Sequence, residues 1–341
     1  MIVVAGEALI DVLSQNSGTF TALPGGAPFN VARTIARLGG QCEFLGRLSG
    51  DGFGEQLRAA LERVGVKIVV PAPTPAPTTL AIARLDDSGS ALYSFYLEGT
   101  SAARLEPDDV PADLFESSEV IALGGLGIVI EPTASTLLEL IRRTPADVTV
   151  LLDPNCRPRA IRDLPAYRGA VNAFLARVDI VKVSVDDLAL LTPGVDARDG
   201  ARSLLGLGPA AVLVTDGSAP VLVHTATAEH SLPVPAVEVV DTIGAGDAFV
   251  AGFLTWWSIR SLRRTDVINM NALIEGTRAA IRVAAAACTV QGATLPAGFD
   301  WSASSPLEQP PHVPPTEATA CATGGSAMPT GLSGMPDRDA R

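Results

Sequence analysis

Short, continuous apolar runs that alternate with helical periods limit the fold of this chain more than any other feature of its sequence. Five such runs, rich in Val, Ile and Leu, lie at residues 2–5, 120–123, 148–152, 180–183 and 211–214. Runs of this length fit strands that are buried on both faces of a parallel sheet. Between them, apolar residues recur at helical spacing, as at Val31, Ile35 and Leu38. This alternation predicts an α/β fold with a doubly wound, mostly parallel sheet and helices on both faces.

Two segments depart from this alternation and predict a small second sheet. Residues 9–23 have the pattern of a hairpin around residues 15–18, and residues 78–98 that of two strands joined at residues 86–90. A small sheet that projects from the strand ends of an α/β core can act as a lid over a ligand crevice. We therefore expect a β-sheet lid, with Asp11 at the junction of the core and the lid.

The charge balance and the length of the apolar runs exclude several classes of protein. Of the 341 residues, 25 are Lys or Arg and 37 are Asp or Glu, which gives a formal charge of −12. A nucleic-acid binder, or a protein held on an anionic membrane, normally has the opposite sign. No apolar run reaches the roughly 18–20 residues of a membrane span, and the first residues lack the basic region of a signal peptide. We predict a cytoplasmic protein with neither a nucleic-acid nor a membrane partner.

The C-terminal segment differs in composition from the rest of the chain. Residues 301–341 are rich in Pro, Ser, Thr, Gly and Ala and contain few large apolar side chains. Such a segment cannot bury enough surface to offset the entropy that is lost when it becomes ordered. We predict one folded domain over residues 1–300 and a disordered tail over residues 301–341.

The most informative motif is DTIGAGD, residues 241–247, which lies directly before an apolar helical stretch. Small residues at Gly244, Ala245 and Gly246 let the backbone approach a ligand, and the N–H groups of a helix N-terminus attract anions. The motif therefore predicts an anion hole for a phosphate. Asp247 in the same turn would be a general base that takes the proton of an incoming hydroxyl. Alternatively, Asp247 caps its helix and the glycines form an ordinary tight turn.

A second glycine-rich turn, residues 25–30 (GGAPFN), leads into the helical stretch at Val31. Pro28 suits a first helical turn, and the Asn30 side chain offers both donors and an acceptor for hydroxyl groups. The segment therefore predicts a site for a polyhydroxylated ligand. An ordinary Gly-Gly turn before a helix is the alternative.

Together, these motifs resemble the two signatures of the ribokinase-like (PfkB) carbohydrate kinases. GGAPFNVARTIARLGG with GRLSGDGFG is similar to the N-terminal signature, and DTIGAGDAF to the C-terminal one, more than 200 residues further on. The resemblance covers about residues 1–300. Within the family, GEALIDV, PTTLAIARLDDSG, LDPNCRP and VKVSVDDL are most similar to bacterial fructokinases.

The resemblance implies a role for each matching residue on the sugar side of the site. Asp247 would be the catalytic base, and the backbone N–H groups of the anion hole would hold the charge that develops on the transferred phosphoryl group. The residues expected to bind the sugar are Asp11, Gly25, Gly26, Asn30 and Arg157.

The resemblance also implies residues for the nucleotide and the metal ions. Those expected to bind ATP are Ser184, Thr215, Gly217 and Gly246. Asp187 would organise Mg²⁺ through water, and Asp241 would belong to a site for a monovalent cation such as K⁺. The spacing of Ser184 and Asp187 also fits a helix capping box, and that alternative stays open. The chain lacks the G-x-x-x-x-G-K-[ST] sequence of P-loop enzymes, so helix amides, Mg²⁺ and Arg157 are expected to neutralise the phosphates.

From this resemblance we expect ATP-dependent phosphorylation of the 6-hydroxyl of D-fructose. Alternatives are 2-keto-3-deoxygluconate, ribose or a nucleoside as the acceptor, or a non-catalytic sugar sensor on the same fold. Leu97 stands near a position where related sugar-acid kinases often carry Arg, which disfavours a substrate with a carboxylate. Since family members often pair through the lid sheet, we also expect a homodimer.

Overall fold

The computed structural model describes residues 1–14, 19–85 and 91–301. The turns expected at residues 15–18 and 86–90, and residues 302–341 of the expected tail, lie outside the described residues. Within the described part the strands, in chain order, are β1 (Ile2–Ala5), β2 (Leu9–Ser14), β3 (Phe20–Gly25), β4 (Cys42–Leu45), β5 (Lys67–Ile68), β6 (Leu80–Leu85), β7 (Ala91–Tyr96), β8 (Val120–Gly124), β9 (Thr149–Asp153), β10 (Ile180–Ser184), β11 (Ala211–Asp216), β12 (Ala219–Thr225) and β13 (Glu229–Leu232). The α-helices are α1 (Ala27–Arg37), α2 (Gly52–Glu62), α3 (Thr133–Arg143), α4 (Leu164–Leu175), α5 (Val185–Leu191), α6 (Ala197–Leu205), α7 (Ala245–Ile259) and α8 (Met270–Ala287).

Nine of these described strands form one sheet in the order β13-β12-β11-β10-β9-β8-β1-β4-β5. The strands from β11 to β5 are parallel, whereas β12 and β13 add an antiparallel edge that the apolar runs did not predict. All five runs coincide with strands of this sheet, and β1, β8 and β9 are buried along their whole length. The prediction of a mostly parallel, doubly wound sheet is confirmed.

Two apolar clusters cover the two faces of this sheet. On one face α1, α2, α7 and α8 pack around fully buried side chains that include Phe29, Phe44 and Trp257. On the other face α3, α4, α5 and α6 pack around side chains that include Leu137 and Phe174. A sheet covered on both sides exposes little of itself except its edges and its strand ends, which is where a parallel sheet presents polar side chains.

A separate four-stranded sheet has the order β3-β2-β6-β7. Strand β2 pairs antiparallel with β3 and parallel with β6, and β6 pairs antiparallel with β7. The second sheet expected from residues 9–23 and 78–98 is thereby confirmed, while its action as a lid stays a prediction. Because β1 leads into β2 after three residues, the second sheet begins at the carboxyl edge of the main sheet.

Candidate active site

Asp247 lies at the centre of the site, in the first turn of α7, with 7% of its surface exposed. Its Oδ2 accepts a hydrogen bond of 2.9 Å from Asn30 Nδ2, and its Oδ1 accepts one of 3.4 Å from Asn155 Nδ2. Burial raises the pKa of Asp247, while the bond from Asn30 and the charges of Arg157 and Lys182 oppose that rise. A buried carboxylate with a raised pKa, held by two amide donors, has the properties of a general base.

The backbone before Asp247 is bent so that the N-terminus of α7 faces the site. Gly244 has a φ of 77°, and a Cβ at this position would lie 2.5 Å from Ala293 Cβ, so a larger residue would be both strained and obstructed. The first helical bond runs from Ala248 N–H to the Gly244 carbonyl, at 2.8 Å. The N–H groups of Gly246 and Asp247 precede that bond and are free of it, as at any helix N-terminus. Ala245 N–H, also expected in the anion hole, donates to Thr242 O at 3.2 Å.

Asp11 extends from β2 of the second sheet into the same site. Its Oδ2 lies 2.0 Å from the place where a Cβ of Gly25 would be, so the carboxylate occupies space that only glycine leaves open. Burial raises the pKa of Asp11 to about 6, and the charge of Arg157 limits the rise. Asp11 is therefore mostly ionised at neutral pH and can accept hydrogen bonds from hydroxyl groups.

Asn30 presents an unused acceptor to this site. The residue is 7% exposed, and while its Nδ2 bonds to Asp247, its Oδ1 has no hydrogen-bond partner among the described residues. A buried polar atom without a partner costs free energy, on the order of 1–3 kcal/mol, unless a ligand supplies the missing donor. A ligand hydroxyl at Asn30 Oδ1 would fill this role.

A buried ion pair lies on the strand side of the site. Lys182 Nζ is 3.0 Å from Asp153 Oδ2, and the two side chains are 6% and 10% exposed. Burial raises the pKa of Asp153 to about 6, although the charge of Lys182 lowers it. The carboxyl group is therefore still mostly ionised at pH 7. Burial lowers the pKa of Lys182, but Asp153, Asp187 and Asp247 together raise it above its ordinary value.

Glu7 lies directly after β1 and is 3% exposed. Its Oε2 accepts a hydrogen bond of 3.0 Å from Gly127 N–H, which holds the turn after β8 against the end of β1. Burial raises the pKa of Glu7 to about 7, because the backbone donors offset only part of the lost hydration.

A single cavity of about 500 Å³ is lined by Glu7, Asp11, Asn30, Lys182 and Asp247, while Asp153 is not part of its lining. It brings together five residues expected in the sugar site or as the base, namely Asp11, Gly26, Asn30, Arg157 and Asp247, and two of the anion hole, Gly244 and Gly246. Gly25 lies behind Asp11, outside the lining. Glu7 follows β1, and Asn155 and Arg157 follow β9, so the cavity lies at the carboxyl edge of the main sheet, the usual position of a ligand crevice in such folds. The arrangement combines a base, hydroxyl acceptors and a helix N-terminus, which are the groups needed to transfer a phosphoryl group to an alcohol.

Comparison with known proteins agrees with this geometry, since residues 1–298 match the model of the pfkB family of carbohydrate kinases. The chain belongs to this family. This pfkB kinase is 32% identical over 327 residues to a fructokinase of Rhizobium leguminosarum bv. trifolii. The alignment covers 92% of this chain and 98% of the relative.

Two solved structures resemble the pfkB chain along most of its length. The fructokinase of Xylella fastidiosa with bound ATP has a TM-score of 0.79 and 32% identity, and the match covers 86% of this chain and 93% of that one. The aminoimidazole riboside kinase of Salmonella enterica, complexed with aminoimidazole riboside and an ATP analogue, has a TM-score of 0.75 and 28% identity, with 86% and 94% covered.

Other residues expected to bind the nucleotide or metal ions lie at the ends of the neighbouring strands, outside the cavity lining. Ser184 ends β10, Thr215 lies in β11, and Gly217 follows β11 in the turn before β12. Ser184 and Asp187 form the capping box that their spacing allowed: Asp187 N–H donates to Ser184 Oγ at 3.0 Å, and Ser184 N–H donates to Asp187 Oδ2 at 2.8 Å. Asp187 Oδ1 also accepts from Cys156 N–H at 2.8 Å. The capping role is therefore observed, and the roles in nucleotide and Mg²⁺ binding stay predictions.

The described residues contain no cluster of three or more His, Cys, Asp and Glu side chains arranged to hold a metal ion. Kinases commonly bind Mg²⁺ through the phosphates of the nucleotide and water, with one or two carboxylates of the protein. Within the same described part, no helix is long and apolar enough to cross a membrane.

Sequence reasoning missed Lys182 and Glu7 as members of the site. Lys182 occurs inside an apolar strand and Glu7 inside a segment used only for the family resemblance, so neither has a local motif of its own. The composition did hold a signal for Lys182: only two of the 25 basic residues are lysines, and one of them lies inside an apolar strand.

Proposed function

We propose that this protein transfers the γ-phosphoryl group of ATP to the 6-hydroxyl of D-fructose. The observation that carries the proposal is the position of Asp247, held by Asn30 and Asn155 between the hydroxyl-binding side of the cavity and the N-terminus of α7. A base at this junction can contact an acceptor hydroxyl while helix amides contact the phosphate that the hydroxyl attacks.

In this mechanism Asp11 and Asn30 Oδ1 accept hydrogen bonds from sugar hydroxyls and fix the orientation of the ring. Asp247 takes the proton of the 6-hydroxyl as its oxygen forms a bond to the γ-phosphorus. The bond between the γ-phosphorus and the bridging oxygen breaks, and its electron pair leaves with ADP. The N–H groups of Gly246 and Asp247 stabilise the charge on the phosphoryl oxygens. Asp187 would hold the water ligands of a Mg²⁺ ion bound to the nucleotide, and this ion would supply positive charge to the phosphates.

Fructose as the acceptor is supported by the fructokinase relatives and by the apolar surroundings of Leu97. Leu97 packs with Phe95 against the small cluster of Leu9, Ala81 and Leu126, so this position offers the ligand an apolar side chain and no charge. An uncharged side chain here favours a neutral acceptor over 2-keto-3-deoxygluconate, whose carboxylate a cation at this position would stabilise.

A nucleoside is the second candidate acceptor, and a specific observation favours it. A neighbouring cavity of about 590 Å³ adjoins the site and shares Phe95, Gly125, Leu126, Asn155 and Arg157 with it. This space could hold a ring attached to the anomeric carbon of a ribose. The similarity to aminoimidazole riboside kinase points the same way.

An ADP-coupled assay over D-fructose, ribose, 2-keto-3-deoxygluconate and aminoimidazole riboside separates these acceptors. We expect the highest kcat/KM for fructose, and phosphorus NMR of the product should show a phosphate ester at carbon 6. A higher kcat/KM for the riboside would assign the protein to nucleosides instead. Sugar binding without ADP formation, in Mg²⁺ and K⁺, would indicate the sensor.

We propose that the reaction takes place in the cytoplasm.

We also propose that Asp241 contributes to a K⁺ site beside the anion hole. Asp241 Oδ1 accepts from Ile243 N–H at 3.0 Å and Oδ2 from Gly292 N–H at 2.8 Å, so a cation here would stabilise both loops next to Gly244. Activity in K⁺ is expected to exceed that in Na⁺, and Asp241→Asn should remove the difference. Equal activity in the two ions would contradict this role.

The second sheet carries exposed apolar side chains that support the proposal of a homodimer. Phe20, Leu23 and Tyr96 are 64%, 42% and 57% exposed on β3 and β7. Light scattering should give twice the chain mass for the native protein and the monomer mass for Leu23→Glu. Removal of residues 302–341 should leave both the oligomeric state and the activity unchanged if the domain ends near residue 300, as we propose.

A further inference from the structure

Lys182 is an unusual residue in both the sequence and the structure. The chain has two lysines among 25 basic residues, and the other, Lys67, is 73% exposed and pairs with Glu43. Lys182 is the one buried Lys or Arg among the residues that the structure describes. A buried ion pair rarely stabilises a fold more than apolar side chains of the same size would, so its presence calls for another explanation.

The position of Lys182 provides that explanation. From β10 its side chain reaches the wall of the cavity that holds Asp247, and its Nζ lies 3.0 Å from where a Cβ of Gly246 would be. The ammonium group therefore lies directly against the first turn of α7. Asp153 accepts one of its three N–H donors, at 3.0 Å.

The charges around the site show what Lys182 can do there. Asp11, Asp153, Asp187 and Asp247 bring four carboxylates to or beside the cavity, before the triphosphate adds its own negative charge. P-loop enzymes place a lysine on the β- and γ-phosphates for this purpose, and this chain lacks that motif. The ammonium group is compact and carries three donors, so it can keep its bond to Asp153 and still offer donors beside Gly246.

We propose that Lys182 Nζ contacts the phosphoryl group during transfer, from the strand side, while the amides of α7 contact it from the helix side. Asp153 holds the ammonium group in place before ATP arrives and remains its second partner afterwards. The inference rests on the proposed transfer from ATP, but it does not depend on which sugar is the acceptor. According to this inference Lys182 is a catalytic residue. The alternative is that Lys182 and Asp153 form a buried ion pair with a purely structural role.

Kinetics of two variants separate these two roles. Lys182→Met should lower kcat about 100-fold or more, as the loss of a group that stabilises transition-state charge does, and leave the sugar Kd within about twofold in calorimetry without ATP. Because Lys182→Met leaves Asp153 unpaired and could unfold, the double variant Lys182→Met with Asp153→Asn removes both charges. The double variant should fold and remain slow. Recovery of near-native kcat in the double variant would overturn the proposal.

Covalent labelling gives an independent test. Lys67→Arg, which changes an exposed lysine and should leave kcat unchanged, produces a chain whose one lysine is Lys182. An acyl ester on the terminal phosphate of ATP transfers its acyl group to a nearby amine, which forms an amide and releases ATP. Peptide mass spectrometry should find the acyl group on Lys182, and excess ATP should prevent labelling. No sugar is needed in this experiment.

Two outcomes distinguish this inference from the proposed function. If the protein binds ATP but Lys182 stays unlabelled, the contact with the phosphoryl group is wrong and the kinase reaction is unaffected. If the protein does not bind ATP at all, the proposed function fails, and the inference fails with it.

Discussion

Asn30 and Asp247, 217 positions apart in the chain, are joined by a buried hydrogen bond of 2.9 Å. Each residue lies in the first turn of a helix that follows a glycine-rich turn, α1 in one case and α7 in the other. The bond therefore fixes the two helix N-termini relative to each other. It also leaves Asn30 Oδ1 without a partner among the described residues, and it lowers the pKa of the proposed base against the larger rise caused by burial.

Asn30→Ala should weaken catalysis and move its pH dependence. The loss of a hydrogen bond to a charged group costs about 1.5–3 kcal/mol, which should appear in kcat/KM. Because the bond lowers the pKa of Asp247, its removal raises that pKa, and the acid limb of the kcat/KM profile should move to higher pH. An acid limb that stays in place would show that Asp247 is not the group that titrates there.

Asp11 should make sugar binding weaker in acid. Burial raises the pKa of Asp11 to about 6, so the carboxylate becomes protonated and loses acceptor capacity as the pH falls through 6. We expect the Kd for the sugar to rise over this range in calorimetry. Asp11→Asn should bind the sugar more weakly at pH 8 and show a flat profile between pH 5 and 7. An unchanged slope in the variant would assign the titration to another group.

Gly25→Ala tests the contact between β3 and Asp11. The new Cβ would lie 2.0 Å from Asp11 Oδ2, so the carboxylate must move by an ångström or more. A displacement of that size can cost about 100-fold, and we expect it in kcat/KM for the sugar. Gly169→Ala is the matched control, because Gly169 is exposed in α4 and no atom lies within 4 Å of its added Cβ. The control should keep full activity; equal kcat/KM in the two variants would contradict the account.

Glu7 should contribute a measurable pH dependence to stability. Its pKa rises from 4.5 to about 7 on folding, so its contribution is fully present below pH 4.5 and is lost as the pH rises through 7. The free energy of unfolding of the native protein should therefore fall relative to that of Glu7→Gln between pH 5 and pH 8, by a few kcal/mol at most. Denaturant titrations at these pH values measure the difference. The exposed residue Glu62, changed to Gln, should show no such trend.

The sequence predicted five of the nine strands of the main sheet and several motif residues that the structure places around one cavity. Apolar runs predicted β1, β8, β9, β10 and β11 because strands buried on both faces need continuous apolar sequence. Strands β12 and β13, on the antiparallel side of the sheet, mix buried positions with partly or fully exposed ones, so they lack that signal. The spacing of Ser184 and Asp187 allowed the capping box that is observed.

Contacts between distant segments could not be predicted from the sequence. The motifs identified Asn30 and Asp247 separately, but their hydrogen bond depends on how α1 and α7 pack against the same face of the sheet. The contacts of Lys182 could not be predicted for the same reason, because they depend on the pairing of β10 with β9 and on the approach of α7. A single charged residue in an apolar strand does not show which carboxylate it will meet.

Asp247→Asn tests most directly the central claim that Asp247 is the general base. Asparagine keeps the shape of the side chain and removes the base, so sugar affinity measured by calorimetry should stay within a few-fold of the native value. The kcat for ADP formation with D-fructose should fall by about 10²–10⁴-fold, the contribution typical of a general base. A variant that folds, binds the sugar and retains near-native kcat would contradict the assignment of Asp247 as the base.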